Sequence, residues 1–505
     1  MIRLLLGKTE GSNPAITPFS LLLVFLAGLS LVRIVILSLG LVELSQDEAH
    51  YWEWSRRLDW CYYSKPPGVA TMIWLGTQLF GDTVLGVRCF AVLLSFLASL
   101  AIYGLGSRLI NPQTGAWAAI LLQLIPIFSS FGLGITPDSP LIFFWSASLY
   151  FFHRCWTVGK LRDWAILAVM IGLGLLCKYA IVYFYVPMWI LLLGTRQGRQ
   201  HLRSVGPYLC VLGSLLFFTP VVWWNSQNDW VMFRHDLGHA GANEPFAFNP
   251  AHLFNGYIGV QLAVITPITA AYMLWLTARG LKRDPFSFWF MMPILLAFLI
   301  KSLQSKIQAN WPMVAWLAGL VPLAAYIVSH YTGLNKVKRG WLRATIVVPA
   351  IGAMILHSVF LLEAIPWPNR INPIKKLIGH EELARKVDQI RTQLSVDHFV
   401  FSDRYYFASS LAFYLPDHPI TYNVNLGQRR MNQYDLWEDF TGRIGDDAVF
   451  VSKRARFPEP LSGSFEKVEP EKLEIHDRFG RVIHTYHAYR CYNFKGYEVP
   501  IITKF

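Results

Sequence analysis

Residues 18–42 read PFSLLLVFLAGLSLVRIVILSLGLV, and residues 43–57 follow as ELSQDEAHYWEWSRR. Apart from Arg33, the first stretch is apolar and long enough to span a bilayer as a helix. It is too long for a cleavable signal peptide, and no small-residue cleavage site follows it. The second stretch is too polar to span a membrane and unusually aromatic for a solvated loop. Together they predict a membrane helix followed by an amphipathic helix at the membrane interface.

The same apolar character extends over most of the chain. Of 505 residues, 54% are hydrophobic and 15% are charged, and the mean hydropathy is +0.36. Soluble domains carry about 25% charged residues, so a disordered chain, a collagen-like chain and an ordinary cytosolic enzyme are excluded. The predicted fold class is a polytopic α-helical membrane protein with about eleven spans, at residues 18–42, 83–105, 113–131, 138–153, 163–178, 180–194, 205–224, 252–276, 285–301, 309–329 and 342–362.

The net charge of +13 lies almost wholly in residues 1–362, which hold 25 Lys and Arg against 13 Asp and Glu. A basic excess confined to the apolar part indicates membrane topology, and no nucleic-acid partner is expected. With the N-terminus inside, the inner loops hold sixteen Lys and Arg and the outer loops seven. This bias predicts a multi-pass membrane protein with a cytoplasmic N-terminus and, after eleven crossings, a C-terminus on the outer side.

Residues 363–505 predict a separate, small α/β domain outside the membrane, after a transmembrane domain at 1–362. A Pro-rich stretch at 365–368 marks the boundary. Hydrophobic periodicity predicts helices at 374–394 and 404–415 and strands at 399–401, 448–452 and 481–492. Cys61 and Cys491 both fall on the outer side, where a disulfide between them could form.

The polar helix after the first span carries the first candidate for catalysis. Helical spacing places Asp47 on one face with His50, Tyr51 and Trp54, while Glu48 points away from it. A carboxylate at the edge of the hydrocarbon is well placed as a general base, because partial burial raises its pKa toward the working range. The alternative is that Asp47 only caps the helix.

Two further outer segments carry charged candidates. Lys65 precedes a rigid Pro-Pro corner, which favours a phosphate ligand over a lysine that simply reaches the interface. Asp138 follows Thr136-Pro137, and Ser139 as N-cap would leave it free to orient a sugar or to share a divalent cation with Asp47. No other cofactor is expected, and helix capping by Asp138 is the alternative.

Cations inside or beside apolar runs are costly, so they face a cavity or a partner. The acidic residues near these cations are too few to pair with all four of them, Arg33, Arg88, Lys178 and Lys301. This surplus indicates an anionic ligand that enters from the lipid, and the alternative is that the cations pair with backbone carbonyls or extend to the interface. His235 and His239 have a spacing compatible with zinc, but no third ligand is evident, and a sugar-binding surface is favoured. The remaining candidate substrate-binding residues share outer placement and polar or aromatic character: Glu48, His50, Tyr51, Tyr63, Arg88, Lys178, His235, Lys301, Asn310, Trp311, Arg404 and Tyr406.

These segments, in this order, resemble glycosyltransferase superfamily C. The resemblance rests on Asp47-Glu48, Lys65-Pro66-Pro67, Thr136-Pro137-Asp138, Lys178 and Asn310-Trp311-Pro312. More narrowly, the chain is similar to the bacterial branch related to dolichyl-phosphate-mannose–protein mannosyltransferases and to the lipid A aminoarabinose transferase. That transferase has Arg three positions after its catalytic Asp, where this chain has His50, so phosphate binding does not carry over to this position.

The resemblance implies a polyprenyl-phosphate sugar donor on the outer side. It implies Asp47 as the catalytic aspartate, Asp138 as the second acidic residue and Lys65 as the phosphate contact. The acceptor would be a glycan, a glycolipid or a protein. The residues themselves are consistent with such a donor, because the sequence contains no nucleotide-binding motif. A base on one side of the anomeric carbon and cations on the other predict inversion. The alternative function is a transporter or flippase for a lipid-linked sugar, although polar residues at one membrane face and no internal repeat argue against it.

Overall fold

The computed structural model describes residues 17–239, 248–368, 370–427 and 431–500. In this part of the chain the α-helices are α1 (Pro18–Ser38), α2 (Gln46–Ser55), α3 (Gly68–Phe80), α4 (Val84–Leu109), α5 (Pro112–Leu124), α6 (Pro126–Ser130), α7 (Asp138–Val158), α8 (Leu161–Cys177), α9 (Tyr185–Gly194), α10 (Arg196–His201), α11 (Gly206–Gln227), α12 (Val231–His239), α13 (Gly259–Ile265), α14 (Pro267–Gly280), α15 (Pro285–Ser302), α16 (Met313–His330), α17 (Lys336–His357), α18 (His380–Arg391) and α19 (Tyr405–Tyr414).

Shorter helical turns and five strands complete the structure. The 3-10 helices are Tyr179–Phe184, Val359–Ala364, Gln433–Asp435 and Glu459–Leu461, and His252–Ile258 is a π-helix. The strands are β1 (His398–Ser402), β2 (Thr421–Asn423), β3 (Asp447–Ser452), β4 (Phe465–His476) and β5 (Val482–Phe494).

Six of the described helices are long and apolar enough to cross a membrane. They are α1, α4, α11, α15, α16 and α17, and each coincides with one of the predicted stretches. The polytopic membrane class is thereby confirmed, whereas the count of eleven spans stays a prediction.

Two predicted spans are interrupted by the backbone. The stretch 252–276 bends by 96° where Thr266, at φ 73°, precedes Pro267. The stretch 113–131 breaks where Ile125, in an extended conformation, precedes Pro126. A residue before proline is pushed out of the helical region, so both breaks have the same steric cause.

The chain divides into two compact units. Within the described ranges, the first comprises residues 17–35, 88–224 and 248–357, and the second comprises residues 36–87, 225–239, 358–368, 370–427 and 431–500. The second unit therefore contains the loop after α1 as well as the C-terminal segment. The linear division at residue 362 stays a prediction.

The first unit has an aromatic core between its helices. Phe152, Phe184 and Phe290 are fully buried and make ring contacts with one another. The buried guanidinium of Arg33 is satisfied by neutral groups, since it donates to His357 and Ser95 at 3.0 Å each. Hydrogen bonds to neutral partners thus make this charge tolerable inside the apolar unit.

The second unit contains a five-stranded mixed sheet in the order β2-β1-β3-β5-β4. Strands β1, β2 and β3 are parallel, and β5 runs antiparallel to β3 and β4. Side chains alternate across β1: Val400 packs toward α18 and α19, whereas Phe399 and Phe401 enter an aromatic core on the other face. This alternation is the period-two pattern of a strand buried on both faces. The predicted helices and strands of the tail are present, and β2 and β4 are additional.

A disulfide between Cys61 and Cys491 does not form, because all six cysteines are free thiols. The Cys61 sulfur lies 3.4 Å from the Met232 sulfur, and Cys491 is buried in β5 opposite Ala448. Both thiols are therefore packing groups.

Candidate functional site

Helix α2 begins with a capping box that separates the two adjacent acidic residues. The backbone N–H of Ser45 donates to the Glu48 carboxylate at 2.9 Å, and the N–H of Glu48 donates to the Ser45 hydroxyl at 3.4 Å. Glu48 is buried and caps the helix. Glu48, and not Asp47, therefore caps the helix, and the Asp47 carboxylate is left for other contacts.

The Asp47 carboxylate is held by a tyrosine of the C-terminal segment. The Tyr405 hydroxyl donates to Asp47 Oδ1 at 3.1 Å. The Asp47 side chain is accessible to solvent although protein surrounds most of it, as in an open recess. Burial raises the pKa of Asp47, the Tyr405 hydrogen bond and the Lys65 charge oppose this rise, and Glu48 adds to it. An accessible carboxylate with a raised pKa has the properties of a general base.

Lys65 is positioned by the turn before the Pro-Pro corner. Its carbonyl accepts the N–H of Tyr62 at 3.0 Å, and its ammonium donates to the carbonyl of Ser64 at 2.7 Å. Its charge acts on the pKa of Asp47, so the two groups that were singled out in separate segments share one electrostatic environment.

His50 is buried beneath the same helix. Nε2 accepts the indole N–H of Trp54 at 3.2 Å, which leaves Nδ1 to donate to the Ser409 hydroxyl at 3.0 Å. Burial lowers the pKa of His50 to about 3. Since the ring is neutral and both nitrogens are used within the protein, the structure gives His50 a packing role instead of the predicted contact with substrate.

Two further candidates, Tyr63 and His235, are in contact, and His235 lies in the segment 225–239. His235 Nδ1 lies 3.2 Å from the Tyr63 hydroxyl, and their ring centroids are 4.7 Å apart. The backbone N–H of Tyr63 donates to Gln433 at 2.6 Å. Tyr51 packs edge-on against Trp54 at 5.0 Å. The zinc alternative involves the side chain of His239, which lies outside the described part of the chain.

The tail contributes a residue that sequence reasoning missed. Of Arg404, Tyr405 and Tyr406 at the start of α19, we predicted the first and the third as substrate contacts. Arg404 is exposed, and Tyr406 lies under the ammonium of Lys453, which is 5.2 Å from its ring. Tyr405 contacts Asp47. Only the rotational register of α19 distinguishes the two adjacent tyrosines, and a four-residue motif does not reveal that register.

The first unit contains a second cluster, centred on Asp138. The Lys178 ammonium donates to Asp138 Oδ1 at 2.7 Å, and the Asn310 amide donates to Oδ2 at 2.7 Å. The Asp138 and Lys178 side chains are only 7% and 11% exposed, so this is a buried ion pair in which both carboxylate oxygens accept a hydrogen bond. Three predicted residues from separate segments are thus in contact.

The cap predicted for this turn is not observed. Helix α7 begins at Asp138, and its N-cap is Pro137 without a side-chain hydrogen bond. The Ser139 hydroxyl donates instead to the carbonyl of Gly134 at 2.9 Å. Asp138 is nevertheless free of a capping role, because Lys178 and Asn310 hold both of its oxygens.

The other predicted residues of the first unit are placed separately. Arg88 is buried in α4, Lys301 donates to Gln304 at 2.9 Å, and the ring of Trp311 lies 6.3 Å from that of Phe298. Within the described ranges, no three His, Cys, Asp or Glu residues are grouped as metal ligands would be.

Comparisons with known proteins show what this chain is similar to. The profile of the family described as dolichyl-phosphate-mannose-protein mannosyltransferase matches residues 64–224. A lipid A galacturonosyltransferase from Rhizobium johnstonii is 27% identical over 400 residues, which are 77% of this chain and 81% of that protein. These two matches support the resemblance of this chain to glycosyltransferase superfamily C.

Other similar proteins point the same way. The undecaprenyl phosphate-alpha-4-amino-4-deoxy-L-arabinose arabinosyl transferase of Pseudomonas aeruginosa is 31% identical over 173 residues, 32% of this chain and 30% of that protein. The apo crystal structure of ArnT from Cupriavidus metallidurans has a TM-score of 0.63 at 16% identity, covering 94% of this chain and 98% of that one. The same protein bound to undecaprenyl phosphate has a TM-score of 0.59 at 15% identity, covering 92% and 97%. The structural likeness shows the shared fold.

Proposed function

We propose that the protein transfers a sugar, with inversion, from a polyprenyl-phosphate donor to an acceptor hydroxyl at the outer face of the bacterial inner membrane. The supporting observation is the Asp47 carboxylate: it is accessible, has a raised pKa and lies within the electrostatic influence of Lys65. A relative matched over four fifths of its length is a lipid A galacturonosyltransferase, which favours a glycolipid acceptor. The periplasmic placement of α2 and of the C-terminal domain is part of the proposal.

In this reaction, Asp47 accepts the proton of the acceptor hydroxyl while the hydroxyl oxygen bonds to the anomeric carbon. The bond from that carbon to the phosphate oxygen breaks, and the polyprenyl phosphate leaves with the electron pair. Lys65, together with the exposed Arg404, stabilises the charge that develops on the leaving phosphate. Because the base and the leaving group act on opposite faces of the sugar, the configuration inverts.

Tyr405 acts on this base as a positioning residue. Burial and the Asp47 charge raise its own pKa, so it stays protonated and donates its hydrogen bond throughout the physiological range. The bond fixes Oδ1, which leaves Oδ2 to accept the proton from the acceptor.

Asp47→Asn tests the proposal. An amide cannot accept the proton, and loss of a general base costs about 10²- to 10⁴-fold in rate. The assay is transfer of labelled sugar from undecaprenyl-phosphate sugar to lipid A by the full-length protein in proteoliposomes. Asp59→Asn is the matched control, because Asp59 is an exposed acidic residue of the same loop. Wild-type turnover by Asp47→Asn would exclude Asp47 as the base.

The same proteoliposomes distinguish the alternative function. A transporter or flippase would move the labelled donor between leaflets without forming a glycosidic bond. Transport would be favoured by two observations together: the wild type forms no glycosylated product, and the Asp47→Asn variant still moves the labelled donor between leaflets.

Two roles stay predictions. The resemblance assigns Asp138 to the reaction, and its variant is considered below. A divalent cation near Asp47 and Asp138 is tested by adding a chelator to the same assay: a rate that falls and recovers with Mg²⁺ or Mn²⁺ would support it.

A further inference from the structure

The second unit contains a groove that the transfer reaction does not use. It has a volume of about 850 Å³ and lies along the start of β5. This volume is in the range of sites that hold organic ligands. Its charged lining consists of Arg370, Lys375, Lys376 and Lys453.

The positive charge of this groove is not balanced by the protein. No Asp or Glu is among the lining residues, and within the described ranges no carboxylate lies within 4.0 Å of these four cations. Lysines elsewhere on the same sheet behave differently: Lys467 pairs with Glu469 at 2.6 Å, and Lys472 with Glu474 at 2.7 Å. A set of cations without acidic neighbours is typical of an anion-binding site.

Contacts with neighbouring side chains and backbone hold the residues of the groove in place. The Lys453 ammonium lies over the rings of Tyr406 and Phe407 at 5.2 and 5.8 Å. His484 Nε2 donates to the carbonyl of Lys375 at 2.7 Å, which anchors the 370–376 segment to β5. Burial, together with the charges of Lys375, His380 and Lys453, lowers the pKa of His484 to about 4, against the opposing effect of the hydrogen bond to the Lys375 carbonyl.

The segment leading to the groove carries exposed apolar side chains. Leu361, Ile365 and Ile371 are 58%, 44% and 62% exposed, in the stretch that follows the apolar helix α17. Apolar side chains next to Arg and Lys, just beyond a membrane helix, are typical of a segment at the lipid headgroups.

We propose that this groove binds the phosphate group of an anionic lipid headgroup, at a site separate from sugar transfer. Lys and Arg ammonium and guanidinium groups recognise phosphate by charge and hydrogen bonding. A lipid source is favoured over a soluble phosphate by the exposed apolar side chains beside the cations.

The test measures lipid bound to the full-length protein in neutral detergent, by native mass spectrometry with phosphatidic acid and with phosphatidylcholine. The wild type should bind phosphatidic acid in preference. Lys375→Gln/Lys376→Gln/Lys453→Gln should bind it about 100-fold more weakly, because each of the three cations near a lipid surface contributes about 1 kcal/mol. Lys467→Gln/Lys472→Gln/Lys495→Gln removes the same charge outside the groove and should bind like the wild type.

Two outcomes would overturn the proposal. Equal losses in both triple variants would mean that only net charge matters, and unchanged binding in the groove variant would mean that the lipid binds elsewhere. Inorganic phosphate serves as the competitor: if it displaces the lipid at equal concentration, the groove binds soluble phosphate and the lipid assignment is wrong. Should the triple variant fail to fold, Lys453→Gln alone, at an exposed side chain, should still weaken binding several-fold.

Discussion

Replacing Tyr405 by Phe removes one hydrogen bond from the proposed base and leaves the aromatic ring in place. The Tyr405 hydroxyl is the donor 3.1 Å from Asp47 Oδ1, and it stabilises the ionised carboxylate. Without it, burial acts on the carboxylate with less opposition, and the pKa of Asp47 rises. Because transfer requires the ionised form, the acidic limb of the pH profile moves to higher pH.

The size of this shift follows from the hydrogen bond and from its exposure. A hydrogen bond to a charged group contributes about 1.5–3 kcal/mol when buried. Since Asp47 is accessible to solvent, screening reduces the contribution to about 1 kcal/mol. One pKa unit corresponds to about 1.4 kcal/mol, so the limb should shift upward by about 0.7 unit.

The assay is kcat/KM for sugar transfer across the acidic and neutral range. Tyr492→Phe is the matched control, because the Tyr492 hydroxyl donates to the Glu469 carboxylate at the same 3.1 Å, on the sheet and away from Asp47 in the chain. The control should reproduce the wild-type profile. A Tyr405→Phe profile that overlays the wild type, or moves to lower pH, would refute the coupling between this hydroxyl and the base.

Two further predictions concern stability. Asp138→Asn leaves the Lys178 ammonium buried without its counter-charge, which should destabilise the protein by about 3–5 kcal/mol and lower its melting temperature. The double variant Asp138→Asn/Lys178→Gln should recover part of this loss. A double variant that is no more stable than Asp138→Asn would contradict the prediction. Ser45→Ala removes the acceptor for the Glu48 N–H at the start of α2 and should lower the free energy of unfolding by about 1 kcal/mol, which a thermal melt would detect. An unchanged melting temperature would show that the cap does not stabilise the helix.

Local patterns predicted most elements of the structure. The apolar stretch of α1 and the polar helix Gln46–Ser55 that follows both stand where periodicity and composition place them. The strands β1, β3 and β5 were also predicted, because a buried strand shows its alternation within a few residues. Strand β2 has only three residues, and β4 contains Pro470, so neither shows a clear period.

The candidate site was predicted residue by residue, but its contacts were not. Asp47, Lys65 and Asp138 were identified because charges beside apolar runs are rare and costly. The role of Glu48 in the cap and the burial of His50 were not predicted. Each depends on which neighbour the side chain meets after folding.

The amino-acid sequence by itself determined the membrane class, the helix α2 and the acidic and basic candidate residues, since apolar length and local periodicity act within one segment. The tertiary structure alone decided that Tyr405 and not Tyr406 meets Asp47, and that Lys178 and Asn310 together hold Asp138. These contacts join residues 40 to 358 positions apart. Their geometry depends on the packing and rotation of whole helices, which no local pattern encodes.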